Sequence, residues 1–313
     1  MICRAATSGI SIAVLLFVAL TGIGATSPVA GPQSAAGQDP ASCTALVRAA
    51  VANEVAANNS STKHMFKSHK TTAQGSQTRI YVETREAMAG MTIAYNDQPL
   101  APAQMQGEEN RLAALVNDPQ QLRHKYAQEQ ENTERTLRIL KALPDAFVFE
   151  YDGEKKGAVN LGEERARLVW LKFRPNPDFQ PPSHVEQVLL GMEGVVVIDP
   201  VEQRIAKIDG TLFKEVSFGW GILGHLDKGG HFLVEQCDAG NDSWEVSRMS
   251  LSFTGKILLF KNLAIKSDEV FSGFRRVPDD TTFAQGVEML KAEEVKLAQN
   301  RDAEAVKTED RSH

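Results

Sequence analysis

The sequence lacks the features that mark several functional classes. It has 313 residues, of which 7% are aromatic, and its 34 Lys and Arg against 40 Asp and Glu give a formal net charge of -6. No block of clustered basic residues interrupts this balance. Because a nucleic-acid site needs a basic surface that neutralises phosphates, the composition argues against a nucleic-acid partner. The proportions of apolar and charged residues are those of a globular protein.

No apolar run is long enough for an ordinary membrane-spanning helix. The longest, from Ile10 to Ile23, falls short of the roughly 20 residues that a bilayer requires. Arg4 precedes it, and small residues around Ala25 and Ala30 follow. This order is typical of a secretory signal peptide, predicted over residues 1–25 and followed by a linker at 26–40, with a retained anchor as the alternative. We therefore expect an exported protein, located in the periplasm or elsewhere outside the cytoplasm.

Cysteine is scarce, with three residues in the chain. Cys3 lies in the predicted signal peptide, which leaves Cys43 and Cys237 in the mature protein. An exported protein meets oxidising conditions in which disulfides persist, so these two residues are a possible pair. Pairing requires their Cα atoms to lie within about 7 Å, which sequence does not establish.

The mature chain is predicted to be a single α+β domain over residues 41–300. A first helix begins at Asp39-Pro40, where Asp is a favoured N-cap and Pro a favoured first residue. Strands follow between 63 and 96, then a helical insertion at 102–143. A C-terminal helix begins at Thr282, and the tail at 301–313 is predicted to be disordered.

Turn signals divide the second half of the chain into short strands. They include Asp199-Pro200, Asp209-Gly210 and Thr254-Gly255. Connections this short join antiparallel neighbours, because a parallel crossover needs a dozen or more residues. Met249, Leu251 and Phe253 alternate with polar residues, so one face of the predicted antiparallel sheet is expected to meet a core.

Motifs for catalysis or metal binding are weak or missing. Gly219, Gly221 and Gly224 have the spacing of a dinucleotide-binding loop, but that loop requires a parallel strand-helix-strand unit. His225, His231 and Cys237 are separated by gaps that fit no common zinc motif. No Gly-x-Ser-x-Gly segment is present. The sequence therefore predicts no enzyme, cofactor or metal site.

Bulky apolar residues are distributed over several of the predicted strands and one loop. They form either a solid core or the lining of an apolar cavity, and the helical insertion is either a solvated helix pair or a mobile lid. As candidate ligand-binding residues they are Trp170, Phe173, Val195, Val197, Phe213, Phe218, Trp220, Phe232, Leu251 and Phe253.

The element order and one segment resemble a known superfamily. The segment is Gly194 to Gly210, in which Val195-Val196-Val197-Ile198-Asp199-Pro200 precedes Arg204-Ile205-Ala206-Lys207-Ile208. It is similar to the outer-membrane lipoprotein carriers and lipoprotein-sorting proteins. Ser217 to Leu226 and Phe271 to Pro278 also resemble uncharacterised secreted proteins of Acidobacteria.

The resemblance implies a curved antiparallel half-barrel with an N-terminal helix, an inserted helical pair and a C-terminal helix. The implied function is non-enzymatic binding of a lipid or lipoprotein acyl chain. Two alternatives stay open: a periplasmic sensor or interaction module that binds an envelope membrane protein, and a hydrolase whose site the sequence does not reveal.

Overall fold

The structure is a computed structural model that describes residues 39–58, 62–218, 223–240, 243–257 and 261–310. The chain divides into two compact units, where the sequence predicts one domain. The first unit comprises Met1–Ser61 and Gln130–Val270, and the second comprises Thr62–Glu129 and Phe271–His313. The predicted signal peptide, and the linker as far as residue 38, lie outside the described residues.

The helices and strands follow the predicted order. The helices are α1 (Pro40–Ala57), α2 (Pro102–Asn117), α3 (Pro119–Ala146), the short 3-10 helix η1 (Glu186–Gly191) and α4 (Phe283–Asp310). The strands are β1 (Lys63–Thr72), β2 (Gly75–Val82), β3 (Ala89–Tyr95), β4 (Gln98–Pro99), β5 (Phe147–Lys156), β6 (Arg167–Pro175), β7 (Met192–Asp199), β8 (Arg204–Leu212), β9 (Val216–Phe218), β10 (Gly224–Leu226), β11 (His231–Gly240), β12 (Ser243–Ile257) and β13 (Lys261–Val277).

The first unit contains an open antiparallel sheet. Its strand order is β5-β6-β7-β8-β11-β12-β13, and β10 joins β12 at the side while pairing with β9. Each of these pairs is antiparallel. Short turns connect most of the neighbours. The predicted turn at Asp199-Pro200 joins β7 to β8, but the predicted turns at Asp209-Gly210 and Thr254-Gly255 are wrong, because these residues lie inside β8 and β12 and pair with the neighbouring strands. The predicted α+β class and open antiparallel sheet are confirmed.

The second unit has its own antiparallel strands and its own core. The strand order is β4-β3-β2-β1, followed by β13. Helices α2 and α4 pack against β3, and α4 also packs against β2. The core consists of buried side chains from these elements, including Met65, Ile80, Val82, Ala89, Met91, Ile93, Leu112, Val277, Phe283, Val287 and Leu290.

The predicted helix starts are confirmed by their capping hydrogen bonds. The Asp39 side chain accepts a hydrogen bond from the Ser42 N–H at 2.7 Å. Helix α3, inside the predicted helical insertion, begins in the same way: the Asp118 carboxylate accepts from the N–H groups of Gln120 and Gln121 at 2.9 and 3.1 Å. These bonds satisfy donors that have no partner within the first helical turn, which is why Asp directs the helix to begin there. At the other end of the chain, α4 extends to Asp310, so helix continues through part of the tail predicted to be disordered.

Side chains from α2 satisfy the open edge of β3. The Glu108 carboxylate accepts from the Thr92 N–H at 3.0 Å, and Arg111 donates to the Gly90 carbonyl at 2.7 Å. Burial alone raises the pKa of Glu108, but hydrogen bonds from Arg111 and the Thr92 N–H outweigh it and lower the pKa overall. An edge strand otherwise presents unpaired backbone groups to other chains. The helical insertion thus protects this edge.

A buried ion pair attaches α1 to the sheet of the first unit. Arg204 donates from Nε and Nη2 to the two carboxylate oxygens of Glu54 at 3.0 and 3.1 Å. The Ile205 N–H donates to the same carboxylate at 2.9 Å, and the Arg204 guanidinium lies 5.6 Å from the centre of the Trp244 ring. Glu54 is fully buried. Both carboxylate oxygens of Glu54 and two of the guanidinium nitrogens of Arg204 therefore have partners that offset their lost hydration.

Among the described residues, no helix combines the length and the apolar character needed to cross a membrane.

Replacing Glu54 by Gln is expected to lower the free energy of unfolding by about 3 to 5 kcal/mol, because Arg204 would remain buried without a counter-charge. Arg48→Gln is the matched control, since the Arg48–Asp145 pair is exposed and such pairs contribute about 1 kcal/mol or less. Urea unfolding followed by tryptophan fluorescence measures both losses. Equal losses in the two variants would contradict a dominant role for the buried pair.

Candidate functional site

An apolar cavity lies inside the first unit, between one face of the sheet and the elements α1, α3 and η1. Its volume is about 80 Å³. Strands β5 to β8, β11 and β12 form the floor, and the three helical elements form the walls. The lining residues are Val47, Thr136, Ile139, Leu140, Leu143, Phe147, Phe149, Phe173, Val188, Leu189, Met192, Val196, Ile208, Phe232 and Phe253.

The cavity floor contains a row of residues that lie directly opposite one another on successive strands. The row runs Phe149, Phe173, Gly194, Gly210, Phe232 and Leu251. Residues paired in this way share one face of the sheet. Two adjacent glycines therefore occupy the middle of the row, between phenylalanines on both sides. The middle of the row therefore has no side chains of its own.

The two glycines have different packing constraints. A Cβ on Gly210 would lie 3.0 Å from the Met192 sulfur and 3.4 Å from Phe173, which are both lining residues. A Cβ on Gly194 would lie 1.9 Å from the Asp209 carbonyl oxygen, a distance that backbone packing does not allow. Gly194 thus permits close approach of β7 and β8, whereas the position beside Gly210 is already occupied by the Met192 and Phe173 side chains.

The helix α3 covers the cavity with a narrow apolar stripe. Ile139, Leu140 and Leu143 point into the cavity, while most neighbouring positions on the helix are polar. The hydroxyl of Thr136, the polar residue in the lining, donates to the Asn132 carbonyl at 3.1 Å. Because this hydrogen bond satisfies the hydroxyl within the helix, the cavity presents apolar contacts to a ligand.

Three of the predicted ligand-binding residues line the cavity and one more shares its face. Phe173, Phe232 and Phe253 are lining residues. Leu251 lies opposite Phe232 in the β11–β12 register and therefore points to the same side. These positions follow the alternation that the sequence shows on β12.

Trp170, Val195 and Val197 lie on the opposite face of the same sheet. There they pack with Leu168, Ala206 and Trp244 in a separate apolar cluster. The reason is the two-residue period of a strand: Phe173 and Val196 face the cavity, so residues an odd number of positions away face the other side. Phe213, beneath the Lys214 ammonium, and Phe218 on β9 are outside the lining. Trp220 lies outside the described residues.

The other twelve lining residues were not predicted from the sequence. Phe147 and Phe149 alternate at the start of β5 and lie on one face, which is a pattern that sequence displays. The Phe147 ring lies 4.5 Å from that of Phe173, centre to centre. The wall residues on α1, α3 and η1 carry no comparable signal, because only the packing of these elements onto the sheet shows which of their apolar residues face it.

The two cysteines are buried in separate places and are not joined by a disulfide. Cys43 on α1 lies beside the backbone of Tyr151 on β5, and Cys237 on β11 lies beside Ser247. Strands β5 and β11 are four ladder steps apart, which corresponds to roughly 19 Å at the usual strand spacing. A disulfide requires Cα atoms within about 7 Å, so the possible bridge is not formed. Burial raises the pKa of both thiols.

The His69–Asp97 pair does not form a hydrolytic triad with Thr78. His69 approaches a hydroxyl, Thr78 Oγ1, at 3.0 Å through Nδ1, and the Asp97 carboxylate lies 3.7 Å from that same nitrogen. A triad needs the carboxylate and the nucleophile on different ring nitrogens. This arrangement therefore provides no route for a proton from Thr78 through the ring.

Gly224, the last glycine of the dinucleotide-like spacing, has a role in strand packing. Its φ is +131°, and a Cβ there would lie 2.1 Å from the Lys256 carbonyl oxygen of β12. The neighbouring elements are the antiparallel strands β9, β10 and β12. The described end of this segment thus lacks the helix start that holds a pyrophosphate. Gly219 and Gly221 lie outside the described residues.

The chain is thus an α+β protein of open antiparallel sheets with an apolar cavity in its first unit. No family model, no curated protein and no solved structure matches it. The resemblance to the lipoprotein carriers stays a prediction.

Cys43 and Cys237 are expected to react slowly with iodoacetamide in the folded protein, because both thiols are buried and their raised pKa keeps them protonated. Peptide mass spectrometry measures labelling in native buffer and in denaturant. Val201→Cys, at a position that is 83% exposed, is the control that should react quickly.

The raised pKa of each thiol also predicts that stability falls as pH rises above about 8.5, where unfolded thiols ionise first. A crosslinked peptide containing both cysteines would contradict the absence of a disulfide between Cys43 and Cys237.

Proposed function

We propose that the first unit binds an acyl chain or a similar apolar ligand, without chemical reaction. The observation that carries this proposal is the apolar cavity between the sheet and the elements α1, α3 and η1. Protein interiors are normally packed with few voids larger than a water molecule. A cavity lined by phenylalanine and aliphatic side chains holds water poorly and favours an apolar occupant.

The cavity volume determines how much of a ligand it accepts. At about 80 Å³ it is smaller than the roughly 300 to 1,000 Å³ of a typical ligand pocket. In the described conformation it therefore receives a small apolar group or the end of a chain. A full acyl chain requires the cavity to enlarge.

The covering helix α3 is the element best suited to provide that enlargement. In the first unit it contributes three large apolar side chains to the cavity, Ile139, Leu140 and Leu143. Pro144 lies inside the helix, where a proline removes a backbone hydrogen bond and weakens the helix locally. If α3 moves outward at this point, the ligand replaces those three side chains on the sheet. The helical insertion would then act as a lid.

The expected affinity follows from the apolar surface that the ligand buries. Each buried methylene contributes about 0.8 kcal/mol, which is close to a fourfold gain in affinity at room temperature. A ligand that inserts a few methylenes binds weakly, and a longer chain binds tightly only if the lid opens. The proposal therefore predicts a dependence on chain length that a rigid surface patch would not show.

Binding of saturated fatty acids of increasing length is expected to strengthen by about fourfold per methylene and then level off when the enlarged cavity is full. Val196→Phe, which places a ring in the cavity, should weaken binding about tenfold or more, since the ring takes the ligand's volume. Isothermal titration calorimetry measures both effects.

Val195→Phe is the matched control, because Val195 is the neighbouring residue on β7 and belongs to the cluster on the other face. Thermal unfolding of both variants shows whether each remains folded. Equal binding by the wild-type protein and both variants would refute the cavity as the site. If no fatty acid binds, and an envelope protein is retained instead, the function is that of an interaction module.

A further inference from the structure

A second group of reactive side chains lies on the β9–β10 pair, outside the cavity lining. In the antiparallel register Val216 lies opposite Leu226, and Ser217 lies opposite His225. Continuing this register places Glu215 opposite Asp227. Alternate residues share one face, so Glu215, Ser217, His225 and Asp227 point to the same side. The ligand atoms of Glu215, His225 and Asp227 all lie within 4.8 Å of one another.

Hydrogen bonds from two hydroxyl groups orient the two carboxylates. Ser217 Oγ donates to Glu215 Oε1 at 3.2 Å, and Thr254 Oγ1 donates to Asp227 Oδ2 at 2.6 Å. The other oxygen of Asp227, Oδ1, faces His225 Nε2 at 3.4 Å. Carboxylates that bind metals are commonly held in place in this manner by neighbouring donors, which fix their direction.

Close packing of the backbone fixes the strand that carries the histidine. A Cβ on Gly224 would lie 2.1 Å from the Lys256 carbonyl oxygen, and a Cβ on Gly255 would lie 2.1 Å from the His225 carbonyl oxygen. Strands β10 and β12 therefore approach each other more closely than side chains would allow. His225 and Asp227 therefore project from backbone that is held rigidly, which reduces the entropic cost of bringing three ligands to one ion.

The charges around the group favour a cation. Glu215 and Asp227 place two like charges close together, and a bound cation would relieve their repulsion. Lys256 lies opposite His225 on β12, yet among the described residues no ion pair joins its ammonium to either carboxylate.

The His231–Asp209 pair has a different environment and provides a comparison. Its Nε2 to Oδ1 distance is 2.9 Å, but the Lys207 ammonium lies 3.2 Å from the second Asp209 oxygen. That carboxylate already has a cationic partner, and no second carboxylate takes part with the histidine in the described structure. The two pairs therefore contain the same residue types, but the pair at Asp227 suits a metal ion and the pair at Asp209 does not.

We propose that Glu215, His225 and Asp227 form a binding site for a first-row divalent transition metal, with Zn²⁺ as the best match. One imidazole nitrogen and two carboxylate oxygens are ligands that zinc accepts, and three protein ligands leave one position of a tetrahedron for water. The metal would replace the contact between His225 and Asp227 and would tie β9 to β10. This inference does not depend on the apolar cavity.

The test is isothermal titration calorimetry of the protein, without an affinity tag, against Zn²⁺, with Co²⁺ as a second probe. We expect saturable binding of one ion per chain and visible Co²⁺ absorption bands typical of a low-coordinate site. His225→Ala and Glu215→Gln should each abolish saturable binding. Thr254→Val, which removes only the orienting hydroxyl, should weaken binding roughly 10- to 100-fold.

His231→Ala is the matched control and should bind Zn²⁺ as the unmodified protein does. Circular dichroism establishes that each variant is folded, and Glu215→Gln, at an exposed position, guards against loss of structure in the His225 variant. Absence of saturable binding by the unmodified protein would overturn the proposal. So would binding that survives His225→Ala, or binding that is lost in His231→Ala instead.

Discussion

The buried contact between Glu54 and Arg204 sets the position of α1, and the cavity of the first unit depends on that position. The guanidinium of Arg204 contacts both carboxylate oxygens, and the Ile205 N–H adds a third hydrogen bond to the same group. Val47, two turns earlier on α1, is one wall of the cavity. Because a buried charge tolerates little displacement from its partner, α1 is a fixed wall, in contrast to α3, which meets the sheet through a few apolar side chains.

Glycine contributes to the first unit through close packing of backbones. At Gly194 the missing side chain lets β7 and β8 approach each other. At Gly224 and Gly255 the missing side chains let β10 and β12 approach closely, and the strand carrying His225 is held rigidly. The proposed metal site therefore rests on backbone packing at glycines, whereas the cavity is formed by the side chains that line it.

Local signals in the sequence predicted the helix starts better than the turns. Asp39 and Thr282 mark helix starts that the structure confirms, since a side-chain acceptor satisfies N–H groups of the first turn in each case. Asp199-Pro200 separates two antiparallel strands as predicted, whereas Asp209-Gly210 and Thr254-Gly255 lie inside β8 and β12, because pairing with neighbouring strands outweighs a local preference. The division into two units, by contrast, was not predicted. It depends on which distant segments pack together, and the composition of the chain changes little between them.

In the candidate site, too, some features were predictable from the sequence and others depended on tertiary packing. Phe173, Phe232 and Phe253 were predicted as ligand-binding residues and line the cavity, whereas Trp170, Val195 and Val197 are equally apolar and lie on the other face. Apolar character is a property of one residue, but the face of a strand depends on register with its neighbours. The sequence by itself determined the helix starts and the antiparallel class, since these follow from contacts over a few residues and from short connections. Only the tertiary structure decided which residues enclose the cavity and which carboxylates meet His225, because those choices depend on long-range pairing.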